Sequence, residues 1–158
     1  AQKQPTLLLG VTFALLDFAA SHPMSLQHTT IIETGGMKGR GIELTRAAVH
    51  AQLQKAFALT SIGSEYGMTE LLSQAYSKGD GIFQQPPWMK VLIRNVNDPT
   101  EIFSAGQSGA INIIDLANIH SCAFIATDDL GKINKDGSFS VAGRMDGSDL
   151  RGCNLLVS

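Results

Sequence analysis

A chain of 158 residues, 44% of them hydrophobic, is the size of one ordinary domain and can bury a core of its own. Lys and Arg number 12 against 14 Asp and Glu, and a net charge of -2 offers no broad basic surface to a polyphosphate backbone, so nucleic acid is not an expected partner. Two cysteines, Cys122 and Cys153, are too few for a disulfide framework, and no Cys/His cluster has the spacing of a structural zinc site, so a reducing cytoplasm is the expected compartment.

The apolar stretch Leu7 to Ala20 is broken by Gly10, Thr12 and Asp17 and lacks a cationic lead-in, so neither a signal peptide nor a membrane span is expected. The chain starts at Ala1 rather than Met and stops after Leu155-Leu156-Val157-Ser158, which accords with a fragment or a processed chain. Pro5 to Thr12 reads as a short buried strand and Phe13 to Ala20 as a helix ended by Ser21-His22-Pro23. Thr29 to Glu33 is β-branched and short, a second strand that feeds the loop Thr34 to Gly41. Thr45 is placed to cap the next helix, on which Val49, Leu53, Ala56 and Phe57 share a face. Thr60 to Ser64 would be a third strand that delivers Glu65 to Glu70 at its C-terminal end, where open α/β sheets place ligands.

After Pro86-Pro87 the rhythm changes to strands and tight turns: Met89 to Val96, Ile102-Phe103, Ala110 to Leu116, Cys122 to Thr127 and Ser138 to Val141. The turns are marked by Asn97-Asp98-Pro99, Gly106 to Gly109 and Asn134 to Gly137. The expected fold is therefore α/β: a partial parallel α/β layer over 1–85, then a small antiparallel, barrel-like β lobe over 86–158.

Three segments could carry chemistry. Gly35-Gly36-Met37-Lys38-Gly39 allows positive φ and close approach of a flat ligand, although a Gly-Gly pair after a strand is more often only a turn. In Tyr66-Gly67-Met68-Thr69-Glu70 the ring can stack on a purine, the hydroxyl can bind a phosphate oxygen and the carboxylate can hold Mg²⁺; the alternative is a helix start. In the third segment, Thr127-Asp128-Asp129 precedes Gly143-Arg144-Met145-Asp146. A carboxylate at a strand end can accept both ribose hydroxyls and an arginine can reach the sugar or phosphate; the alternative is two hairpin turns with solvated charges.

Taken in order, Tyr66 to Glu70, Thr127 to Asp129 and Gly143 to Asp146 resemble the aromatic-Gly-x-Thr-Glu, Thr-Gly-Asp and Gly-Arg-x-Asp motifs of adenylate-forming (acyl-activating) enzymes. With Glu33 to Gly39 and Ser64-Glu65, the wording is most similar to the acyl-protein synthetases of bacterial luminescence systems, with phenylacetate-CoA ligases more distant. The resemblance covers nearly the whole chain, which is similar to the C-terminal half of such an enzyme and would form part of its large domain.

The resemblance implies a ligase that joins a carboxylate, fatty or aromatic, to ATP as acyl-AMP with release of pyrophosphate, then passes the acyl group to a thiol. It implies that Gly35, Gly36 and Met37 line the adenine, that Tyr66 stacks on it with Gly67 beside it, that Thr69 meets the α-phosphate and that Glu70 binds Mg²⁺. Asp129 would accept the ribose hydroxyls, Arg144 would lie by sugar and phosphate, and Asp146 would sit at the hinge. The usual glycine of the second motif is Asp128 here, so the ribose assignment requires that carboxylate to point away.

Cys153 is the candidate acceptor thiol, its neighbour Arg151 favouring the thiolate, against the plainer reading of a buried cysteine; CoA is the alternative acceptor. Cys122 reads as core, and His22, His28, His50 and His120 lack metal spacing. With no phosphate loop and no small domain bearing a catalytic lysine, the piece is expected to bind nucleotide weakly without turnover. Its partner would be the missing N-terminal half or a partner subunit, with homodimerisation possible through the parting surface. A non-catalytic assembly module is the competing reading.

Overall fold

The computed structural model describes residues 4–36 and 44–145, and these contain nine strands, two α-helices and a 3-10 turn. They fall into two compact units, one of residues 4–36, 44–66 and 77–80, the other of residues 67–76 and 81–145.

The first unit runs β1 (Thr6–Val11), α1 (Thr12–Ser21), β2 (Thr29–Thr34), α2 (Arg46–Phe57) and β3 (Gly63–Tyr66). β1 pairs with β2 in parallel from Thr6↔Thr29 to Val11↔Thr34, and β2 pairs with β3 in parallel from Ile32↔Gly63 to Thr34↔Glu65. The expected alternation of strand and helix is thus present, each helix carrying the chain back for a parallel partner. Leu15 and Ala19 on α1 and Val49, Leu53 and Phe57 on α2 recur every fourth residue, and they meet Ile31 and Ile62 in one buried cluster. Truncating a fully buried side chain such as Leu53 to Ala would cost about 2–5 kcal/mol. Thr45 caps α2, its Oγ1 accepting the Ala48 N–H at 3.3 Å, and Ala58 ends the helix in a left-handed conformation.

The second unit contains β5 (Ile82–Gln84), β6 (Met89–Arg94), β7 (Ser108–Asp115), the 3-10 turn Leu116–Asn118, β8 (Phe124–Ile133) and β9 (Phe139–Arg144). Short β4 (Ala75–Ser77) precedes them. The pairs β5–β9, β9–β8, β8–β7 and β7–β6 are all antiparallel. The expected barrel-like lobe is instead an open ladder, because its end strands β5 and β6 do not pair among the described residues. The link between them carries Pro86-Pro87, which have no N–H to donate to a ladder, and it makes a turn closed by Met89 N–H on Pro86 O at 3.0 Å. Val91, Ile93, Ile111, Ile113, Phe83 and Phe139 are all buried, and the last two rings stack at 5.5 Å.

Other expectations change in detail. Ile102 makes only an isolated bridge to Arg94 rather than a strand. Cys122 is exposed rather than core, because the 3-10 turn carries the chain out of the ladder and β8 begins only at Phe124. The Asn134 to Gly137 turn forms as expected, with Gly137 N–H donating to Asn134 O at 3.1 Å. Among the described residues no helix is long and apolar enough to cross a membrane.

Candidate functional site

In the first unit, the C-terminal ends of β2 and β3 are held together by polar side chains. Glu33, 7% exposed, accepts from Thr12 Oγ1 at 2.6 Å and lies 3.6 Å from His50 Nε2 and 4.0 Å from Arg46 Nε. Burial alone would raise its pKa, yet hydrogen bonds from His50, Thr12 and Ser64 hold it below the usual glutamate value. His50 Nε2 also meets Ser64 Oγ at 3.1 Å. One ring nitrogen therefore serves both the serine and the carboxylate, so this is a structural knot rather than a proton relay to a nucleophile. One residue further along, Thr34 Oγ1 donates to Glu65 Oε1 at 3.0 Å.

From this fixed end the chain enters Gly35 and Gly36, with φ of 78° and 61°. A Cβ at Gly36 would have no described atom within 4 Å, and its left-handed conformation suits glycine. Tyr66, the last residue of β3, is 8% exposed, so its ring could offer a ligand only part of a face.

In the second unit, Gly67 to Glu70 leads into a turn closed by Leu71 N–H on Met68 O at 3.1 Å, and no helix starts there. Thr69 and Glu70 are exposed. Their backbone is fastened from the far end of β7. Asn118 Nδ2 donates to Glu70 O at 2.8 Å, and fully buried Asp115 accepts from Leu72 N, Ser73 N, Ser73 Oγ and Ala117 N at 2.7–3.1 Å. Burial pushes the Asp115 carboxyl up, but these donors outweigh it and hold the pKa below the usual aspartate value.

Asp128 and Asp129 stand not at a strand end, as expected, but in a bulge in the middle of β8. Between the pairs Ala110↔Leu130 and Asn112↔Ala126, β7 contributes only Ile111 while β8 contributes Thr127, Asp128 and Asp129. Arg144, at the end of β9, meets Asp128 Oδ2 at 3.2 Å and Asp129 Oδ1 at 3.8 Å, so the extra charge of Asp128 is paired. Gly131, just beyond, faces Ser140 O so closely that a Cβ would come within 2.4 Å of it.

The structure thus gathers Asp128, Asp129 and Arg144 into one cluster, sets Thr69 and Glu70 on one anchored turn, and ends neighbouring strands at Gly35-Gly36 and at Tyr66. Met37, Asp146 and Cys153 lie outside the described residues. Among the described residues no three His, Cys, Asp or Glu side chains form a group able to hold a metal ion by themselves. The sequence reading passed over Glu33, Asp115, Asn118 and Arg94. Only Asp115, an Asp just before Leu-Ala-Asn, carries a legible signal, that of a cap.

No family model and no curated protein sequence matches the chain. Solved structures do match it in fold. ATP-bound MatB from Rhodopseudomonas palustris superposes with a TM-score of 0.64 at 18% identity, over 88% of this chain and 31% of that one. O-succinylbenzoate coenzyme A synthetase from Bacillus subtilis, in complex with AMP, gives 0.60 at 19% identity, over 88% and 31%. The luciferase-like enzyme of the mealworm Zophobas morio gives 0.58 at 18% identity, over 91% and 38%. At these identities the likeness is one of fold: the chain has the α/β fold of part of these proteins, and it spans about a third of their length.

Proposed function

We propose that the chain is the nucleotide-holding part of an ATP-dependent acyl-adenylating ligase. The observation that carries this reading is the fold likeness over 88% of the chain to an ATP-bound enzyme, joined to three motifs in the order such enzymes have them. The glycine backbone at Gly36 would suit the edge of an adenine, and Tyr66 would be the aromatic ring that stacks on it. Asp129 would accept the ribose hydroxyls, with Arg144 turned to the same place and Asp128 occupied by that arginine. Thr69 would donate to the α-phosphate.

The residues fit Mg²⁺ in its usual manner, through one carboxylate with phosphate oxygens and water completing the shell: Glu70 is exposed on an anchored turn, and among the described residues no all-protein cage is formed. A bound Mg²⁺ would offset phosphate charge. The chain's own part is positioning: it holds adenine and sugar so that the α-phosphorus faces an incoming carboxylate oxygen, which displaces pyrophosphate. The acyl group then passes from AMP to a thiol, a protein cysteine such as Cys153 in the reading we favour and CoA in the alternative. A fatty or aromatic acid as substrate, a reducing cytoplasm and completion of the site by further protein belong to the same proposal.

Millimolar ATP with Mg²⁺ is expected to raise the melting temperature of the chain, and Glu70→Ala and Asp129→Ala to remove that rise. A protein extended upstream should catalyse carboxylate-dependent pyrophosphate exchange, and acyl transfer should label Cys153 rather than CoA. A second reading, an assembly module without nucleotide, is favoured by Leu7 and Leu9, 63% and 52% exposed on β1. It predicts no melting shift and a parent-like Glu70→Ala variant.

A further inference from the structure

Arg94 is 9% exposed, and among the described residues no carboxylate pairs with it. A guanidinium taken out of water without a counter-ion is costly, so its surroundings should explain it. Its Nη1 donates to Ile111 O at 3.2 Å and to Asn112 Oδ1 at 2.8 Å, and its Nη2 donates to Thr127 O at 2.9 Å. Every one of these acceptors lies where the β7–β8 ladder is broken. Ile111 is the residue that faces three on β8, and Thr127 is the first of those three. Thr127 Oγ1 adds a second bond to Ile111 O at 2.9 Å and itself accepts the Asp129 N–H at 3.1 Å.

A bulge leaves backbone carbonyls without ladder donors, and buried carbonyls without donors are expensive. Arg94 reaches across from β6 and supplies them as a rigid fork, which a lysine's single ammonium cannot do. The chain of bonds then runs from Arg94 through Ile111 and Thr127 to the backbone of Asp129.

We infer that Arg94 is a positioning residue: with Thr127 it sustains the bulge that frees Asp128 and Asp129 from the β7–β8 ladder, while Asp129 stays in register with Arg144 on β9, and so aims Asp129 at the ribose hydroxyls. The reference to ribose rests on the proposed function; the support of the bulge does not. The sequence points to no such role, because Arg94 closes an ordinary strand run, Met89 to Arg94.

The test uses the whole chain as wild type, Arg94→Met and Arg94→Lys, with two readouts. By amide hydrogen exchange without nucleotide, the Asp129 N–H should exchange at least about tenfold faster in Arg94→Met, a loss of about 1.4 kcal/mol of protection. Val91 and Ile93 amides should keep their protection, and Arg94→Lys should fall between. By nucleotide titration, wild type should bind ATP about tenfold more tightly than 2′,3′-dideoxy-ATP, and Arg94→Met should bind the two nearly alike.

Unchanged exchange at Asp129 in Arg94→Met overturns the inference whatever the nucleotides do. Faster exchange with a wild type blind to the hydroxyls overturns only the ribose reading and leaves Arg94 as the support of the bulge. If Arg94→Met loses protection everywhere, Thr127→Val against Thr127→Ser decides: loosening of the Asp129 amide in Val and not in Ser upholds the relay, and equal behaviour overturns it.

Discussion

In the first unit the buried carboxylate is Glu33, held by a hydroxyl, a histidine and a half-exposed arginine; in the second it is Asp115, held by two backbone amides of the Leu72-Ser73 segment, a serine hydroxyl and a cap amide. Both carboxyls are held below their ordinary pKa although burial opposes it. They differ in what the partners can do. The donors to Asp115 are neutral, three of the four being backbone amides, so they carry no charge for salt to screen. Those to Glu33 include the cationic side chain of Arg46, so that network can answer to ionic strength. Each carboxylate fastens a chain end to which a ligand role is proposed: Glu33 the strand that releases Gly35-Gly36, Asp115 the turn that carries Glu70.

The largest effect is expected at Asp115. Asp115→Ala removes four bonds and leaves the amides of Leu72 and buried Ser73 without that acceptor, a loss of about 3 kcal/mol measurable as a lower urea midpoint at pH 7. A loss below about 1 kcal/mol would mean that the Thr69-Glu70 turn is fastened by other groups. Next comes Glu33→Gln, with a loss of about 2 kcal/mol, since the amide keeps an acceptor for Thr12 but not the charge that faces His50.

The sign of the pH effect follows from the direction of the Glu33 shift. A lowered folded pKa gives stability that is present above the ordinary value of 4.5 and lost as pH falls through the folded value. Wild type and Glu33→Gln should therefore converge in acid below that point. Adding salt should narrow the gap at pH 7 for Glu33→Gln and leave it unchanged for Asp115→Ala. A salt response of equal size in both would erase the distinction between the two units.

The same difference explains what could be read in the sequence. The first unit's elements were legible because each carries local signals: β-branched Thr29 to Glu33, four-residue spacing of Val49, Leu53 and Phe57, and the capping Thr45. The turn at Asn134 to Gly137 was legible in the same way, and so was the strand read as Met89 to Val96, which ends two residues earlier at Arg94. Three-residue β4 and β5 were not, since three residues show no period. Nor was the course of β8, whose Asp128-Asp129 looks like the start of a turn and forms a bulge only because Arg94 and Thr127 satisfy the broken ladder. Which chain ends Asp115 and Glu33 fasten depends on contacts to residues 42 and 21 positions away, which no local pattern encodes.

A smaller effect sharpens the comparison on the side of the first unit. Thr45→Ala should cost about 1 kcal/mol by removing the acceptor for the Ala48 amide. Because α2 bears both Arg46 and His50, fraying its first turn should also reduce the salt response attributed to Glu33. A Thr45→Ala variant that loses the stability yet keeps the full salt response would show that Arg46 keeps its place without the cap.

The smallest effect on stability is expected at Arg144, for which a part in binding is proposed. Arg144 is partly exposed and its pairs with Asp128 and Asp129 are near the surface, so Arg144→Ala should change the urea midpoint by no more than about 0.5 kcal/mol. Its removal, however, leaves two adjacent carboxylates facing any incoming phosphate, and like charges in one place repel an anion that a single aspartate with an arginine would accept. The melting shift by ATP with Mg²⁺ should therefore vanish in Arg144→Ala and return in the double variant Arg144→Ala/Asp128→Gly, which removes the surplus charge. Loss in the single variant without return in the double one would mean that the arginine contacts the nucleotide directly rather than shielding it from Asp128.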